Sequence, residues 1–144
     1  MSTAIGAERK RIGVKLLTPE GTVFDGLAFV VVAPSIEGEV GIYPRHQPLI
    51  CFLKPGETRL KMLDDTEQAF ATTDGYMSVG EDQVLILVEQ AEPADGIDQA
   101  RAEESLRQAE EALAAAGDDE TARTAAESAR RRAQNRLKVV DGRK

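Results

Sequence analysis

Apolar residues follow two different periods along the chain, and the change occurs near residue 89. Before it, short runs of β-branched and aromatic residues alternate with Gly, Pro and Asp, which predicts short strands joined by turns. All six aromatic residues of the chain fall in this first part. Repeated strands without intervening helices indicate an antiparallel β-sandwich or a flattened barrel.

The individual strands lie between turn signals such as Thr18-Pro19-Glu20-Gly21 and Lys54-Pro55-Gly56. The continuous apolar run at 27–32 predicts a strand covered on both faces, or at least central in its sheet. Residues 35–41 contain two glycines, and we expect no regular structure there. The predicted strands are 12–17, 23–24, 27–32, 49–53, 58–63, 67–72, 76–79 and 84–88.

The second part repeats at helical spacing. Apolar positions recur every three or four residues, which predicts two amphipathic α-helices. Asp95 or Asp98 can cap the first helix, and Gly117 is placed to end it. The acidic residues 118–120 then open the second helix, and a link this short predicts an antiparallel hairpin. The predicted stripes are Ala102, Leu106, Ala109, Leu113 and Ala116, then Ala122, Ala125, Ala126, Ala129, Ala133, Leu137 and Val140.

These patterns together predict an α+β chain in three parts: an N-terminal extension over 1–11, a β-sandwich over 12–90 and a helical hairpin over 91–144. Ten acidic and two basic residues give 91–120 a net charge of −8, whereas eight basic and two acidic residues give 121–144 a net charge of +6. The two helices therefore attract each other.

The hairpin has few large apolar side chains. At about 1.5–3 kcal/mol each, they do not offset the conformational entropy lost by ordering about fifty residues. We therefore predict a hairpin that folds conditionally and is able to leave its docking place. The large side chains are Ile97, Leu106, Leu113, Leu137, Val139 and Val140.

Composition excludes several kinds of binding site and several classes of protein. A net charge of −7 argues against a basic nucleic-acid groove, and the single Cys51 excludes an intramolecular disulfide. The single His46 excludes multi-histidine metal sites. The apolar run at 27–34 is far shorter than the roughly 20 residues of a membrane helix, and no apolar signal segment precedes the first strand. We expect a soluble, cytoplasmic chain without a nucleic-acid partner.

No catalytic motif is present: the chain lacks a phosphate-binding loop, Gly-x-Gly-x-x-Gly and Gly-x-Ser-x-Gly. His46 and Cys51, five residues apart, are a conceivable nucleophile pair, but no third group would orient them. We predict no catalytic residue and no metal site. A small enzyme that uses His46 in a sandwich cleft remains the alternative.

The segment Gly38-Glu39-Val40-Gly41-Ile42-Tyr43-Pro44-Arg45-His46-Gln47-Pro48-Leu49 reads as a shaped, rigid loop, either a docking surface or a structural corner. This segment resembles the epsilon subunit of the rotary (F-type) proton-translocating ATP synthase. So do Leu53-Lys54-Pro55-Gly56, Asp74-Gly75-Tyr76 and the alanine-rich hairpin. The resemblance runs from about residue 12 to residue 140.

The resemblance implies a non-catalytic subunit of the central rotor stalk. In this family the sandwich links the gamma subunit to the c-ring, and the mobile hairpin inhibits ATP hydrolysis. The implied partners are gamma, the c-ring and, when the hairpin is extended, the alpha and beta subunits. The expected location is the cytoplasmic face of the cell membrane, with membrane contact only through the complex. A free-standing ATP-sensing module is the alternative.

The hairpin resembles the family's nucleotide-sensing form, in which no cofactor is required and ATP is a regulatory ligand. Ile97-Asp98-Gln99-Ala100-Arg101-Ala102 fits Ile/Leu-Asp-x-x-Arg-Ala, and the segment from Arg132 to Leu137 resembles its partner on the second helix. Ala125 stands where the family's ATP binders carry a further arginine. By this resemblance Glu92 and Asp98 approach adenine, Ile97 and Ala102 line the pocket, and the phosphates face Arg101, Arg132 and Arg136. The alternative for Arg101 is a pairing within its own helix.

The same resemblance suggests which residues bind partners. Glu39 would face the c-ring loops, and His46 would lie close to the gamma contact. Arg130 and Arg131 belong to a basic face that would meet acidic loops of the beta subunits when the hairpin is extended. The alternatives are a solvated loop carboxylate for Glu39 and a solvated basic face for the arginines.

Overall fold

The structure is a computed structural model that describes residues 10–142. Most of the extension predicted over 1–11 therefore lies outside the described residues. Ten strands, one short 3-10 turn and two helices follow one another along the chain. They are β1 (Ile12–Thr18), β2 (Gly21–Ala28), β3 (Val30–Ser35), β4 (Gly38–Ile42), β5 (Leu49–Leu53), β6 (Gly56–Lys61), β7 (Glu67–Thr72), β8 (Gly75–Gly80), β9 (Gln83–Val88), β10 (Ala91–Pro93), the 3-10 turn Ala94–Gly96, α1 (Gln99–Ala116) and α2 (Glu120–Gly142).

The strands form one strongly bent sheet in the order β10-β7-β6-β3-β5-β8-β9-β1-β2, with β4 paired to β3. β3 and β5 are joined by a single register pair, Ser35 with Leu53, so the sheet divides there into two halves of five strands. These halves fold over each other as the two layers of the predicted sandwich. Every strand pair is antiparallel except β1 with β9, which is parallel.

The core lies between the two layers because alternate side chains of the strands point inward. The most deeply buried large residues are Ile12, Leu16, Ile42, Leu60, Met77 and Ile86. Phe24 packs edge to face against Phe70, with ring centroids 6.3 Å apart, and so extends the same cluster. The sandwich thus has one continuous core of bulky side chains.

Two expectations for the sandwich are wrong. Residues 35–41 are not irregular, because β3 and β4 form a hairpin through a two-residue turn, in which the Ser35 hydroxyl accepts from the Glu37 amide and donates to Gly38 O. The run 27–32 is not one doubly covered strand. It breaks at Phe29 between β2 and β3, and Leu27 is exposed, although β3 itself lies centrally in the sheet, between β6 and β5. The sheet also continues beyond residue 90 through β10.

The helical hairpin follows the predicted caps. Asp98 caps α1, its carboxylate accepting from the Arg101 amide at 3.2 Å, and Gly117 ends α1 with a positive φ of 56°. The Asp119 side chain accepts from the Ala122 amide at the start of α2. The predicted stripes face each other, and their fully buried members are all small: Ala102, Ala109, Ala126 and Ala133.

The hairpin docks on the β7 and β10 side of the sandwich through a small apolar cluster. This cluster consists of Ala69, Ala71, Ala94 and Val139, with Ile97 packed against it. Within the part of the chain that the structure describes, no helix is long and apolar enough to span a membrane.

Candidate functional site

A cavity of about 810 Å³ lies between the two helices and the end of the sheet. Alanines of α1 and α2 form most of its walls, since side chains this small leave a gap between the helices. Glu92, Arg132 and Arg136 supply its charged groups. This volume is in the range typical of small-molecule sites. Ala125 also lines the cavity.

The charged groups of this cavity are already engaged. Arg136 forms a bidentate ion pair with Glu92: Nε donates to Oε1 at 2.8 Å, and one terminal nitrogen donates to Oε2 at 3.3 Å. Arg132 donates to the Ser128 hydroxyl at 3.0 Å. Because a guanidinium fork matches phosphate as well as carboxylate, Glu92 occupies the donor face that an anionic ligand would use.

The other residues assigned to the ATP pocket by resemblance do not line this cavity. Ile97 packs on the docking cluster, and Ala102 is fully buried on the inner face of α1. Asp98 serves as the N-cap, with the Arg101 amide as its partner. The structure therefore brings together Glu92, Arg132 and Arg136 of the predicted set and leaves the four residues around the start of α1 apart from them.

Sequence reasoning missed one residue of the docked hairpin. Asn135 is 9% exposed, and its amide nitrogen donates to Gly56 O at 3.1 Å and to Thr72 O at 3.0 Å. The only signal for it in the sequence is its position, four residues before the buried Val139 and thus on the same face of α2.

Glu39 and Arg131, both predicted partner contacts, border a second cavity of about 640 Å³ between β6 and α2. The Glu39 carboxylate pairs with Arg59 at 2.8 Å and is half exposed. That hydrogen bond is the largest of the influences that raise the pKa of the Arg59 guanidinium above its ordinary value. Arg130 lies half-buried on α2, and its Nε has no hydrogen-bond partner among residues 10–142.

His46 lies in the loop between β4 and β5. Residues 43–46 form a tight turn in which the His46 amide donates to Tyr43 O at 3.2 Å. Pro44 at the second position and a φ of 68° at Arg45 are features of a type II turn. The Arg45 amide donates to the Asp82 carboxylate at 2.7 Å and so ties the loop to the β8–β9 turn. These hydrogen bonds give the loop one defined conformation, as the sequence indicates.

The geometry does not support His46 and Cys51 as a nucleophile pair. The His46 Nδ1 lies 2.7 Å from the Gln47 carbonyl oxygen. Burial, followed by the charge of Glu37, raises the pKa of the Cys51 thiol, which disfavours the reactive thiolate. Over the described range 10–142, no group of three or more His, Cys, Asp or Glu side chains could hold a metal ion.

Residues 11–94 match the family model of the ATP synthase delta/epsilon chain β-sandwich domain, and residues 95–141 match that of its long α-helix domain. The ATP synthase epsilon chain of Laribacter hongkongensis is 40% identical over 89% of this chain and 91% of its own. The chain belongs to the ATP synthase epsilon family. The sequence resemblance is thereby confirmed, and the chain is a non-catalytic subunit, which excludes the alternative of an enzyme built on His46.

Further comparisons agree with this family. The epsilon chain of Chromobacterium violaceum is 40% identical over 76% of this chain and 79% of its own. Among solved structures, a chain of the Euglena gracilis mitochondrial ATP synthase (OSCP/F1/c-ring) aligns with a TM-score of 0.74 at 20% identity, covering 87% of this chain and 78% of that chain. A chain of the Tetrahymena thermophila central stalk and c-ring aligns at 0.56 and 17% identity, covering 92% and 98%. At such identities the likeness concerns the fold.

Proposed function

We propose that this epsilon-family chain is a regulatory and coupling subunit of the central rotor stalk. The sandwich links gamma to the c-ring, and the hairpin restrains ATP hydrolysis. Family membership supports a role in an ATP synthase, and the similar folds come from assemblies described as F1 with a c-ring and as a central stalk with a c-ring. The location that follows is the cytoplasmic face of the cell membrane, reached only through the complex.

An exposed apolar patch on the sandwich supports docking of the gamma subunit. Phe52 of β5 and Tyr76 of β8 are register partners, and they are 65% and 40% exposed. Ile50, two residues before Phe52 on the same face, is 71% exposed. Adjoining aromatic and aliphatic side chains on a surface mark a protein-binding site. The half-exposed Glu39 remains the proposed c-ring contact, and His46 remains the proposed residue near gamma.

The observation that carries the regulatory proposal is the weak attachment of the hairpin. The sandwich core consists of bulky interlocked side chains, whereas the hairpin meets the sandwich through three alanines, Val139 and Ile97. Little buried apolar surface is therefore exposed to water when the hairpin leaves the sandwich. Its remaining attachments are polar, and the net contribution of such contacts is modest because water or a charged partner replaces them once the hairpin has left.

ATP is the ligand that we propose for the 810 Å³ cavity. The phosphates would take over the guanidinium fork of Arg136 from Glu92, and Arg132 would turn from Ser128 toward them. Bound in this cleft, ATP would touch both helices and the sheet end, and it would therefore favour the compact form. Arg130 and Arg131 would meet the acidic loops of the beta subunits in the extended form. One basic surface with two competing partners makes a two-state element.

The ATP proposal is tested by measuring the distance between fluorophores on the sandwich and on α1, with and without ATP. ATP should shift the population toward the compact form, and the double substitution Arg132→Ala with Arg136→Ala should abolish that shift. Arg123→Ala is the matched control, since Arg123 is exposed on α2 and lies outside the cavity. Identical distances with and without ATP would remove ATP as the ligand.

The division between the two units is tested by ending the chain after Pro93, where the sheet ends. Assembled into the complex, the shortened chain should still bind gamma, and ATP hydrolysis should increase because the hairpin is missing. Unchanged hydrolysis would refute the inhibitory role. Failure of the full chain to co-purify with gamma would instead favour the free-standing sensor.

A further inference from the structure

The Asn135 side chain joins the helical hairpin to the sandwich over a large separation in sequence. Its amide nitrogen donates both hydrogens to backbone carbonyls, at 3.1 Å to Gly56 O and 3.0 Å to Thr72 O. Both partners are acceptors only, so the NH2 end of the amide must face them. The residue is 9% exposed, and these bonds are therefore shielded from water.

The two carbonyls belong to one place in the sheet. Gly56 and Thr72 are register partners at the end of the β6–β7 ladder, and Thr72 also pairs with Ala91 of β10. Beneath them, the hydroxyls of Thr58 and Thr72 lie 2.9 Å apart in full burial, and the Thr72 hydroxyl also donates to Gly56 O at 3.4 Å. Asn135 therefore completes a polar cluster next to the apolar docking cluster.

The position of this amide determines how α2 lies on the sandwich. Val139, one turn later on the same face, enters the docking cluster, and the adjacent Arg136 holds Glu92 of β10. Apolar contacts among alanines have little directional preference, so they do not fix the rotation or the axial position of α2. Two hydrogen bonds to fixed backbone acceptors do fix both, because their strength falls steeply with misalignment.

We propose that Asn135 is the positioning residue of the docked hairpin, and that the Gly56 and Thr72 carbonyls form its binding site on the sandwich. The amide selects one docked arrangement and stabilises it, while the Arg136–Glu92 pair adds an attachment that a competing anion can open. The inference deepens the proposed function, because it rests on a hairpin that leaves the sandwich during regulation. We call the Asn135 amide together with its two acceptors, Gly56 O and Thr72 O, the latch. The latch is tested in the isolated chain, without nucleotide and without partner subunits.

The chemistry required at this position is specific. An aspartate has the same shape as asparagine, but its ionised carboxylate has no hydrogen to donate and would face two carbonyl oxygens. Asn135→Asp therefore replaces two attractions by two repulsions. Asn135→Ala removes the donors without adding a charge. Gln134→Asp is the matched control, since Gln134 is the exposed neighbour and the change in net charge is the same.

The experiment measures the distance distribution between spin labels in the full chain. Cys51→Ser removes the native thiol, and the labels are placed at the exposed positions Lys15 of β1 and Ala114 of α1. Loss of two hydrogen bonds corresponds to about a 5- to 100-fold fall in the ratio of docked to undocked chains. We expect that fall for Asn135→Ala, a larger one for Asn135→Asp, and less than about a twofold change for Gln134→Asp.

Several outcomes would overturn the latch. The latch is refuted if the distance distributions of both Asn135 variants match that of the unsubstituted chain. It is also refuted if Gln134→Asp lowers the docked fraction as much as Asn135→Asp does, because the added charge alone would then explain the change. Amide protection in β8 and β9 reports whether the sandwich remains folded, and loss of the fold in Asn135→Ala would show a structural role instead. Adding ATP is a separate arm: if ATP changes no distance while Asn135→Ala does, the latch stands and the ATP switch fails.

Discussion

The sandwich and the helical hairpin are built from different kinds of contact. Between the layers of the sandwich, leucine, isoleucine, methionine and phenylalanine interlock around a continuous core. Between the two helices the fully buried residues are alanines, and against the sandwich the hairpin relies on a small apolar cluster, one amide and one ion pair. The chain therefore separates the free energy that folds one unit from the much smaller free energy that docks the other.

The largest expected effect is on the free energy of unfolding, when one leucine in each unit is replaced by alanine. Leu60 is fully buried in the sandwich, whereas Leu113 is half-buried on α1. Leu60→Ala should lower the free energy of unfolding by about 2–5 kcal/mol, because it leaves a cavity in a rigid core. Leu113→Ala should cost about 1 kcal/mol or less, since solvent already reaches the site. Urea unfolding measures both values, and equal losses would contradict the comparison.

Amide hydrogen exchange tests the same contrast without any substitution. Amides of α1 and α2 should exchange at least about 100-fold faster than those of β8 and β9, because local opening of the hairpin exposes little apolar surface. The isolated chain should be measured without nucleotide. Equal protection in both units would show that the hairpin is as firmly held as the sandwich.

A smaller effect is expected at the start of α1. Asp98→Ala removes the N-cap and should destabilise the hairpin by about 1 kcal/mol, leaving the sandwich unchanged. Asp95→Ala is the control, because Asp95 is acidic and exposed nearby but does not cap the helix. Helix amide exchange reports the loss. An equal effect of the two substitutions would indicate that charge, not capping, matters here.

The smallest effect concerns the ion pair between the units. The side chains of Arg136 and Glu92 are 26% and 36% exposed, so solvent screens their attraction. Glu92→Gln should weaken docking by about 0.5–1 kcal/mol, and added salt should reduce that difference. Glu103→Gln, exposed on α1, serves as the control. The spin-label distances give the docked fraction, and a docking loss independent of salt would show that the pair acts through shape alone.

Local features were predictable because their causes are local. The change of period near residue 89, the Asp98 cap and the Gly117 terminator each depend on neighbouring residues, and the structure confirms them. The β3–β4 hairpin is not predicted, because the two glycines of residues 35–41 favour irregular structure. Gly38 and Gly41 instead lie in a strand whose hydrogen bonds are supplied by β3.

The site was less predictable because its contacts are distant in sequence. Asn135 meets carbonyls 63 and 79 residues away, and no periodicity in α2 reports on them. Glu92 and Arg136 were brought together only by the family resemblance, and the structure places them in one ion pair 44 residues apart. Whether Ile97, Asp98, Arg101 and Ala102 contribute to nucleotide binding stays a prediction.

The parallel pairing of β1 with β9 has a consequence for synthesis of the chain. On one side the first strand pairs with β2, which follows directly in the chain, but its parallel neighbour β9 exists only when residues 83–88 have been translated, so the sandwich is completed late. Residues 99–142 follow, and at about 5–20 residues per second they take roughly 2–9 s to make. Asn135 and Val139, which hold α2 on the sandwich, are made towards the end of that interval. The contacts that dock the hairpin thus become possible only after every strand of the sandwich has been translated, so docking cannot precede completion of the sandwich sequence.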